Sequence, residues 1–148
     1  MAKIIKNIRH FGIAITDIQK SLHFYCDLLG FKIIRQMNEN GKYIDNMLKL
    51  QNVKVTTIKL GIDDDNTLVE LLKFESHEEL SNLSKIYSIG ASHLALTVSD
   101  LENLYMSLIE SGIEFNAPPQ LSPDGLVKVT FCKDPDGTPI ELVEELKQ

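Results

Sequence analysis

The sequence is poor in cysteine, and its two cysteines form no motif. Cys26 and Cys132 lie far apart in the chain, and no Cys-x-x-Cys spacing occurs. Two such residues do not build a disulfide framework, and no thiolate cluster is available for a closed structural metal site. We therefore predict that both are small, buried apolar side chains in a reducing compartment.

Long apolar runs and clusters of positive charge are missing as well. The formal net charge is −6, and no group of lysines and arginines is interleaved with aromatic residues, so the chain would repel a phosphate backbone. Lysines and an arginine interrupt the N-terminal stretch MAKIIKNIRH, which has neither a signal-peptide core nor a membrane span. We expect a cytoplasmic protein with a small-molecule substrate and with no nucleic-acid or membrane partner.

The chain does contain an internal repeat. The stretch IRHFGIAITDIQKSLHFY, residues 8–25, returns as ASHLALTVSDLENLYMSL, residues 91–108, and His10 and His93 occupy the same place in the two copies. In each copy a short apolar run, too short for a helix, precedes a stretch with helical periodicity. The pattern predicts a strand followed by a helix in both halves. The predicted helix signals are the capping boxes of Thr16 with Gln19 and Ser99 with Glu102, and the stops at Gly30 and Gly112.

Three further strands are predicted in each half. In the first half they are FKIIRQM, KVTTIKL and TLVELLKF, with a short helical turn in the insertion NENGKYIDNMLKLQN; in the second they are IEFNA, LVKVTFCK and TPIELVEE. The segment PPQLSPDGL, residues 118–126, reads as a loop that either covers a pocket or simply lies on the surface. We expect one domain over residues 1–148, with repeats at about 8–74 and 91–145 and a polar connector at 75–90.

The ends of the two halves also match. Residues 63–71, DDDNTLVEL, align without a gap on residues 134–142, DPDGTPIEL, which places Glu70 on Glu141. A carboxylate in so apolar a strand is costly unless it is paired or coordinated. Each half therefore begins with a histidine and ends with a glutamate that needs a partner.

Two imidazoles and two carboxylates suit a divalent first-row metal and leave coordination positions for water or substrate. The candidate ligands are His10, Glu70, His93 and Glu141. The alternative is that each is structural or solvated, because a single strand histidine is more often hydrogen-bonded than ligating. The occurrence of the same two residue types at equivalent positions of both halves favours the metal site.

Other polar residues are interpreted as non-catalytic. His23 has Met106 as its counterpart in the second copy and is predicted to lie on the surface, and His77 is predicted to be solvated in the connector. The aspartates at 63–65 lack the spacing of a calcium loop and are interpreted as a solvated turn.

The runs HFGIAITD, FYCDLLGF, HLALTVSD and DPDGTPIEL resemble motifs of the vicinal oxygen chelate superfamily, which includes glyoxalase I, methylmalonyl-CoA epimerase, extradiol dioxygenases and the fosfomycin and bleomycin resistance proteins. The resemblance covers residues 8 to about 144. It implies an α+β fold in which two paired βαβββ modules form a half-open, barrel-like sheet, usually within a homodimer. It also implies that the metal ligands fall on His10, Glu70, His93 and Glu141.

The chain departs from individual members of that superfamily. The glutathione-binding arginine and asparagine of bacterial glyoxalase I fall on Ala14 and Phe74, which argues against glutathione as part of the substrate. The epimerase commonly has glutamine at the position of Glu70 and a separate glutamate base, for which Glu39 and Asp45 are the nearby candidates. Bleomycin-binding members dispense with the ligands and use tryptophan, whereas this chain has no tryptophan.

The resulting hypothesis is a metal-dependent, glyoxalase-I-like lyase or isomerase that removes a proton next to a carbonyl of a small substrate with vicinal oxygens. By analogy with glyoxalase I, Glu141 or Glu70 is the base. Nickel, cobalt or zinc is the expected metal, with iron or manganese as the other options. Two alternatives stay open: an iron-dependent extradiol-type dioxygenase, and a non-catalytic protein that binds an antibiotic or metabolite.

Overall fold

Each repeat of the sequence folds around its own four-stranded mixed sheet. The computed structural model describes residues 2, 4–63, 67–80 and 85–147. It divides into two units, residues 1–80 and 81–148, which are described separately. The predicted α+β class is confirmed. No helix within the described ranges has the length and apolar character needed to cross a membrane.

In the first unit the strand order is β1-β4-β3-β2, with β1 parallel to β4 and the other pairs antiparallel. Helix α1 follows β1 and continues directly as a π-helix over His23–Leu28. The short helix predicted in the insertion is confirmed as α2. The elements are β1 (His10–Ala14), α1 (Ile18–Leu22), β2 (Lys32–Asn40), α2 (Lys42–Leu48), β3 (Lys54–Gly61) and β4 (Leu68–Phe74).

The second unit repeats this topology in the strand order β5-β8-β7-β6, again with its first and last strands parallel. The long helix α3 takes the place of α1 and its π-helical continuation. The elements are β5 (Leu94–Thr97), α3 (Leu101–Glu110), β6 (Gln120–Leu121), β7 (Val127–Lys133) and β8 (Pro139–Glu145).

The predicted strand IEFNA, residues 113–117, is wrong. Only one bridge forms there, between Phe115 and Cys132. Pro118 and Pro119 follow at once, and proline has no N–H to continue a ladder. The edge strand of this sheet is instead the two-residue β6, which lies inside the segment predicted to be a loop.

The two predicted capping boxes are each misplaced by one residue. The caps are Asp17, whose Oδ1 accepts a hydrogen bond from Lys20 N at 2.9 Å, and Asp100, whose Oδ1 accepts one from Asn103 N at 3.1 Å. A carboxylate satisfies a free helix N–H and is also favoured by the positive end of the helix dipole. The stops are confirmed, because the glycines after both helices have positive φ angles, 81° at Gly30 and 80° at Gly112.

Burial alternates along the last strand of each unit. Val69 and Leu71 are buried on one face of β4, and Ile140 and Leu142 are fully buried on one face of β8. Successive side chains of a strand point to opposite faces. The glutamate between each buried pair therefore lies on the opposite, more open face of its sheet.

Helix α2 covers part of the open face in the first unit. Its Ile44 is buried in a cluster with Val53 and Val55, against which Leu72 and Phe74 pack. The carboxylate of Asp45 accepts hydrogen bonds from the backbone N–H groups of residue 52 at 3.0 Å and residue 53 at 2.8 Å. Asp45 thus fixes the turn between α2 and β3.

We expect Asp45→Ala to lower the free energy of unfolding by about 1–3 kcal/mol, because two backbone N–H groups lose a charged acceptor. Asp27→Ala is the matched control, since Asp27 pairs only with the exposed His23 and should change stability by no more than about 0.5 kcal/mol. Urea denaturation of the three proteins measures both effects. Equal stability of Asp45→Ala and the wild type would contradict this role.

Candidate functional site

The first candidate pair is His10 and Glu70. Strands β1 and β4 are parallel, and their register places Glu70 beside Gly12, two residues after His10 on the same face. His10 Nε2 lies 3.6 Å from Glu70 Oε1, and the side chains are 33% and 13% exposed. His10 Nδ1 is buried and has no hydrogen-bond partner among the described residues. The chain alone therefore leaves this imidazole incompletely satisfied.

The second candidate pair, His93 and Glu141, has the same construction. The parallel register of β5 with β8 places Glu141 beside Ala95, two residues after His93. His93 Nε2 lies 3.0 Å from Glu141 Oε2. The imidazole also packs edge to face against Phe131, with 5.3 Å between the ring centroids.

Both pairs have the spacing of two ligands on one ion. Nitrogen and oxygen ligands about 2.0–2.2 Å from a metal, at angles between square and tetrahedral, are separated by about 2.8–3.6 Å. The observed separations of 3.0 and 3.6 Å fall in that range. Within each unit, the described residues contain no group of three or more histidine, cysteine, aspartate or glutamate side chains that could hold a metal. Each unit thus offers two ligands, and their convergence on one ion stays a prediction.

Lys59, which no sequence motif indicated, adjoins the first pair. Lys59 is the cross-strand neighbour of Glu70, and its Nζ lies 3.9 Å from Glu70 Oε2. In the second unit, Phe131 takes the equivalent place beside Glu141. One pair is therefore flanked by a cation and the other by an aromatic ring.

The four residues predicted to distinguish substrates lie in the first unit. Asp45 accepts hydrogen bonds in the turn before β3, whereas Glu39 Oε2 accepts a hydrogen bond from Thr57 Oγ1 at 3.2 Å. Ala14 is exposed on the same face of β1 as His10. Phe74 packs against the apolar cluster beneath α2, so it adds apolar surface to that cluster.

The remaining polar predictions are confirmed where the structure describes them. His23 is on the surface, 2.9 Å from Asp27, and its side chain is 62% exposed. His77 is exposed and lies 2.7 Å from Ser76 Oγ. Asp63 is exposed and pairs with Lys32, while positions 64 and 65 of the predicted turn lie outside the described residues.

The cysteines take no part in these pairs. Both are free thiols; Cys132 is buried as predicted, whereas Cys26 is only partly buried. Burial raises the pKa of the Cys132 thiol to about 12, so it stays protonated at neutral pH. Neither residue supplies a thiolate ligand.

Comparison with known proteins agrees with these features. The chain is 31% identical over 145 residues to the YwkD protein of Bacillus subtilis, covering 96% of this chain and 99% of the relative. It is 27% identical over 138 residues to a probable lactoylglutathione lyase of Synechocystis, covering 91% and 92%. A glyoxalase family protein of Bacillus cereus has a TM-score of 0.86 over 99% of this chain and 97% of its own, at 17% identity, which shows a shared fold.

A family model matches residues 7–142, and this range includes the first repeat, the second repeat up to residue 142 and both histidine–glutamate pairs. The resemblance read from the four sequence motifs is thereby confirmed. The chain belongs to the Glyoxalase/Bleomycin resistance protein/Dioxygenase superfamily.

Proposed function

We propose that this protein is a metal-dependent, glyoxalase-I-like lyase or isomerase, which removes a proton next to a carbonyl of a small substrate with vicinal oxygens. The observation that carries the proposal is the recurrence of a histidine–glutamate pair, with ligand-like spacing, at the same place in both repeats. Similarity to lactoylglutathione lyases, at 27% identity in Synechocystis and 25% in Escherichia coli, supports the same reaction class.

Two imidazole nitrogens and two carboxylate oxygens fit nickel, cobalt or zinc. A complete set of four ligands needs the histidine–glutamate pair of the first repeat and that of the second repeat, supplied by one chain or by two chains of a homodimer. Its residues are His10, Glu70, His93 and Glu141. A bound divalent cation supplies Lewis acidity, which polarises the substrate carbonyl and acidifies the neighbouring C–H. Four protein ligands would leave the other positions of such an ion for oxygens of the substrate.

The base is one of the two glutamates, and the contacts favour Glu141. Glu70 contacts both His10 and Lys59, and these two neighbours hold its carboxylate in place. Among the described residues, Glu141 has one polar side-chain partner, His93, and the neighbouring ring of Phe131 is uncharged. Leaving the metal to face the substrate carbon would therefore cost Glu141 one protein contact, against two for Glu70, and it would receive the proton there.

The substrate is small and need not contain glutathione. Ala14 and Phe74 replace the arginine and asparagine that would anchor the tripeptide in a bacterial glyoxalase I. Apolar side chains cannot hydrogen-bond its charged groups, and Phe74 is committed to the cluster under α2. These two positions of the first unit therefore offer no polar anchor for a tripeptide.

Metal binding tests the ligand set directly. We expect the purified, dialysed protein to bind nickel, cobalt or zinc, and we expect His10→Ala and His93→Ala to weaken that affinity at least about tenfold by calorimetry. His23→Ala is the matched control, because His23 is a surface histidine and should leave the affinity unchanged. Elemental analysis that finds iron with oxygen uptake would instead identify a dioxygenase, and no metal at all would favour a binding protein.

Proton exchange tests the base without knowledge of the natural substrate. In D₂O, the metal-loaded protein should catalyse the loss of the C–H signal next to the carbonyl of hydroxyacetone or dihydroxyacetone, followed by proton NMR. Glu141→Gln should lower that rate at least about 100-fold, because an amide cannot accept the proton. Glu145→Gln, a change at an exposed glutamate of the same strand, should not. Full exchange in both Glu141→Gln and Glu70→Gln would refute the mechanism.

A further inference from the structure

A row of charged side chains crosses the sheet of the first unit beside the His10–Glu70 pair. Glu70 on β4 faces Lys59 on β3, and Lys59 in turn faces Arg35 on β2. Directly paired residues point to the same face, so all three share the open face of the sheet. Neighbouring strands are about 4.8 Å apart, which places Lys59 about one strand and Arg35 about two strands from Glu70.

A β-bulge brings Arg35 into this row. The pairing of β2 with β3 shifts by one residue between Ile33 and Arg35, so Ile34 is the extra residue. Without the shift, Ile34 would lie opposite Lys59, and Arg35 would fall on the other face opposite Ile58. A one-residue change of register exchanges the two faces of a strand, and bulges are frequent next to functional sites.

The two cations, Lys59 and Arg35, repel each other unless an anionic group lies close to them. Like charges directly opposite each other destabilise a sheet, and Lys59 is only 25% exposed on an interior strand. Among the described residues, Glu70 is the one carboxylate in an ion pair with Lys59, at 3.9 Å, and Arg35 forms no ion pair. One carboxylate at that distance leaves the row with a surplus of positive charge.

The fold itself does not require these charges. In the second unit Phe131 occupies the place of Lys59, and the same topology forms around it. The surplus charge also runs against the net charge of the chain, which is −6. The row is thus a local feature of the face that carries one histidine–glutamate pair.

We propose that Lys59 and Arg35 bind an anionic group of the substrate, a carboxylate or a phosphate. The assignment of this anion to the substrate rests on the proposed function, whereas the surplus charge does not: Glu70 offsets one of the two cations, so one positive charge remains for an anion even without a metal. The anion then lies one to two strands from the reacting oxygens, within the length of a small acidic molecule. Lysine and arginine supply charge-assisted hydrogen bonds to such a group.

The test measures anion binding by the metal-free protein, so it does not depend on turnover or on metal affinity. Amide proton–nitrogen NMR spectra at low ionic strength are titrated with inorganic phosphate, with acetate and with neutral acetamide. We expect saturable shifts at amides around residues 35 and 59 with phosphate or acetate and none with acetamide. Tighter phosphate binding would indicate a phosphate ester as substrate, and tighter acetate binding would indicate a carboxylic acid.

Variants separate a built site from general attraction. Lys59→Phe, which copies the second unit, and Arg35→Gln should each weaken binding at least about fivefold, whereas Lys59→Arg should stay within about threefold of the wild type. Lys54→Met is the matched control: Lys54 is an exposed lysine on the other face of β3, and its loss should have no effect.

Absence of saturable shifts, or equal binding by Lys59→Phe, Arg35→Gln and the wild type, would overturn the proposal. Equal weakening in Lys54→Met would also overturn it, because the effect would then be one of net charge. If Lys59→Phe does not fold, the exposed Arg35 still decides the question through Arg35→Gln. Anion binding here without any metal affinity would refute the proposed enzyme and leave the anion site intact.

Discussion

Parallel pairing between the first and last strands of each repeat is the constraint on which the candidate site depends. It sets the first strand beside the last with a fixed offset, so that a histidine two residues before the paired position shares a face with the glutamate. An antiparallel arrangement of the same strands would need a different spacing. The aliphatic residues next to each glutamate are buried in the core on the other face of the sheet, so the glutamate lies on the more open face.

Sequence alone predicted the fold class, most strands and both glycine stops. Duplication gave two examples of one pattern, His10 with His93 and Glu70 with Glu141; the structure places each histidine beside the glutamate of its own unit, and a shared metal stays a prediction. Sequence patterns failed where nearby residues compete for the same role. An aspartate next to each predicted cap takes over the helix N-terminus, and two prolines limit IEFNA to a single bridge.

The charged row of Glu70, Lys59 and Arg35 could not be predicted from the sequence for a different reason. The ungapped alignment of the repeats sets Lys59 on Thr130, whereas the strand registers set it on Phe131. The hairpin of the first unit is one residue longer, and that difference hides which side chains flank the glutamates. Arg35 reaches the row only through a bulge, a backbone irregularity that no hydrophobic pattern reveals.

Gly61, at the end of β3, packs against Ile34, the bulged residue of β2. A Cβ at this position would lie 3.1 Å from Ile34 Cγ1 and 3.2 Å from Leu68 Cδ2, closer than side chains normally pack. The bulged residue therefore rests where a side chain would otherwise stand. A larger residue at position 61 would contact the side chain of the bulged Ile34 too closely, and Ile34 on β2 would have to shift. Gly61 thus leaves room for the bulged residue of the neighbouring strand, and the bulge sets which side chain of that strand faces the open side of the sheet.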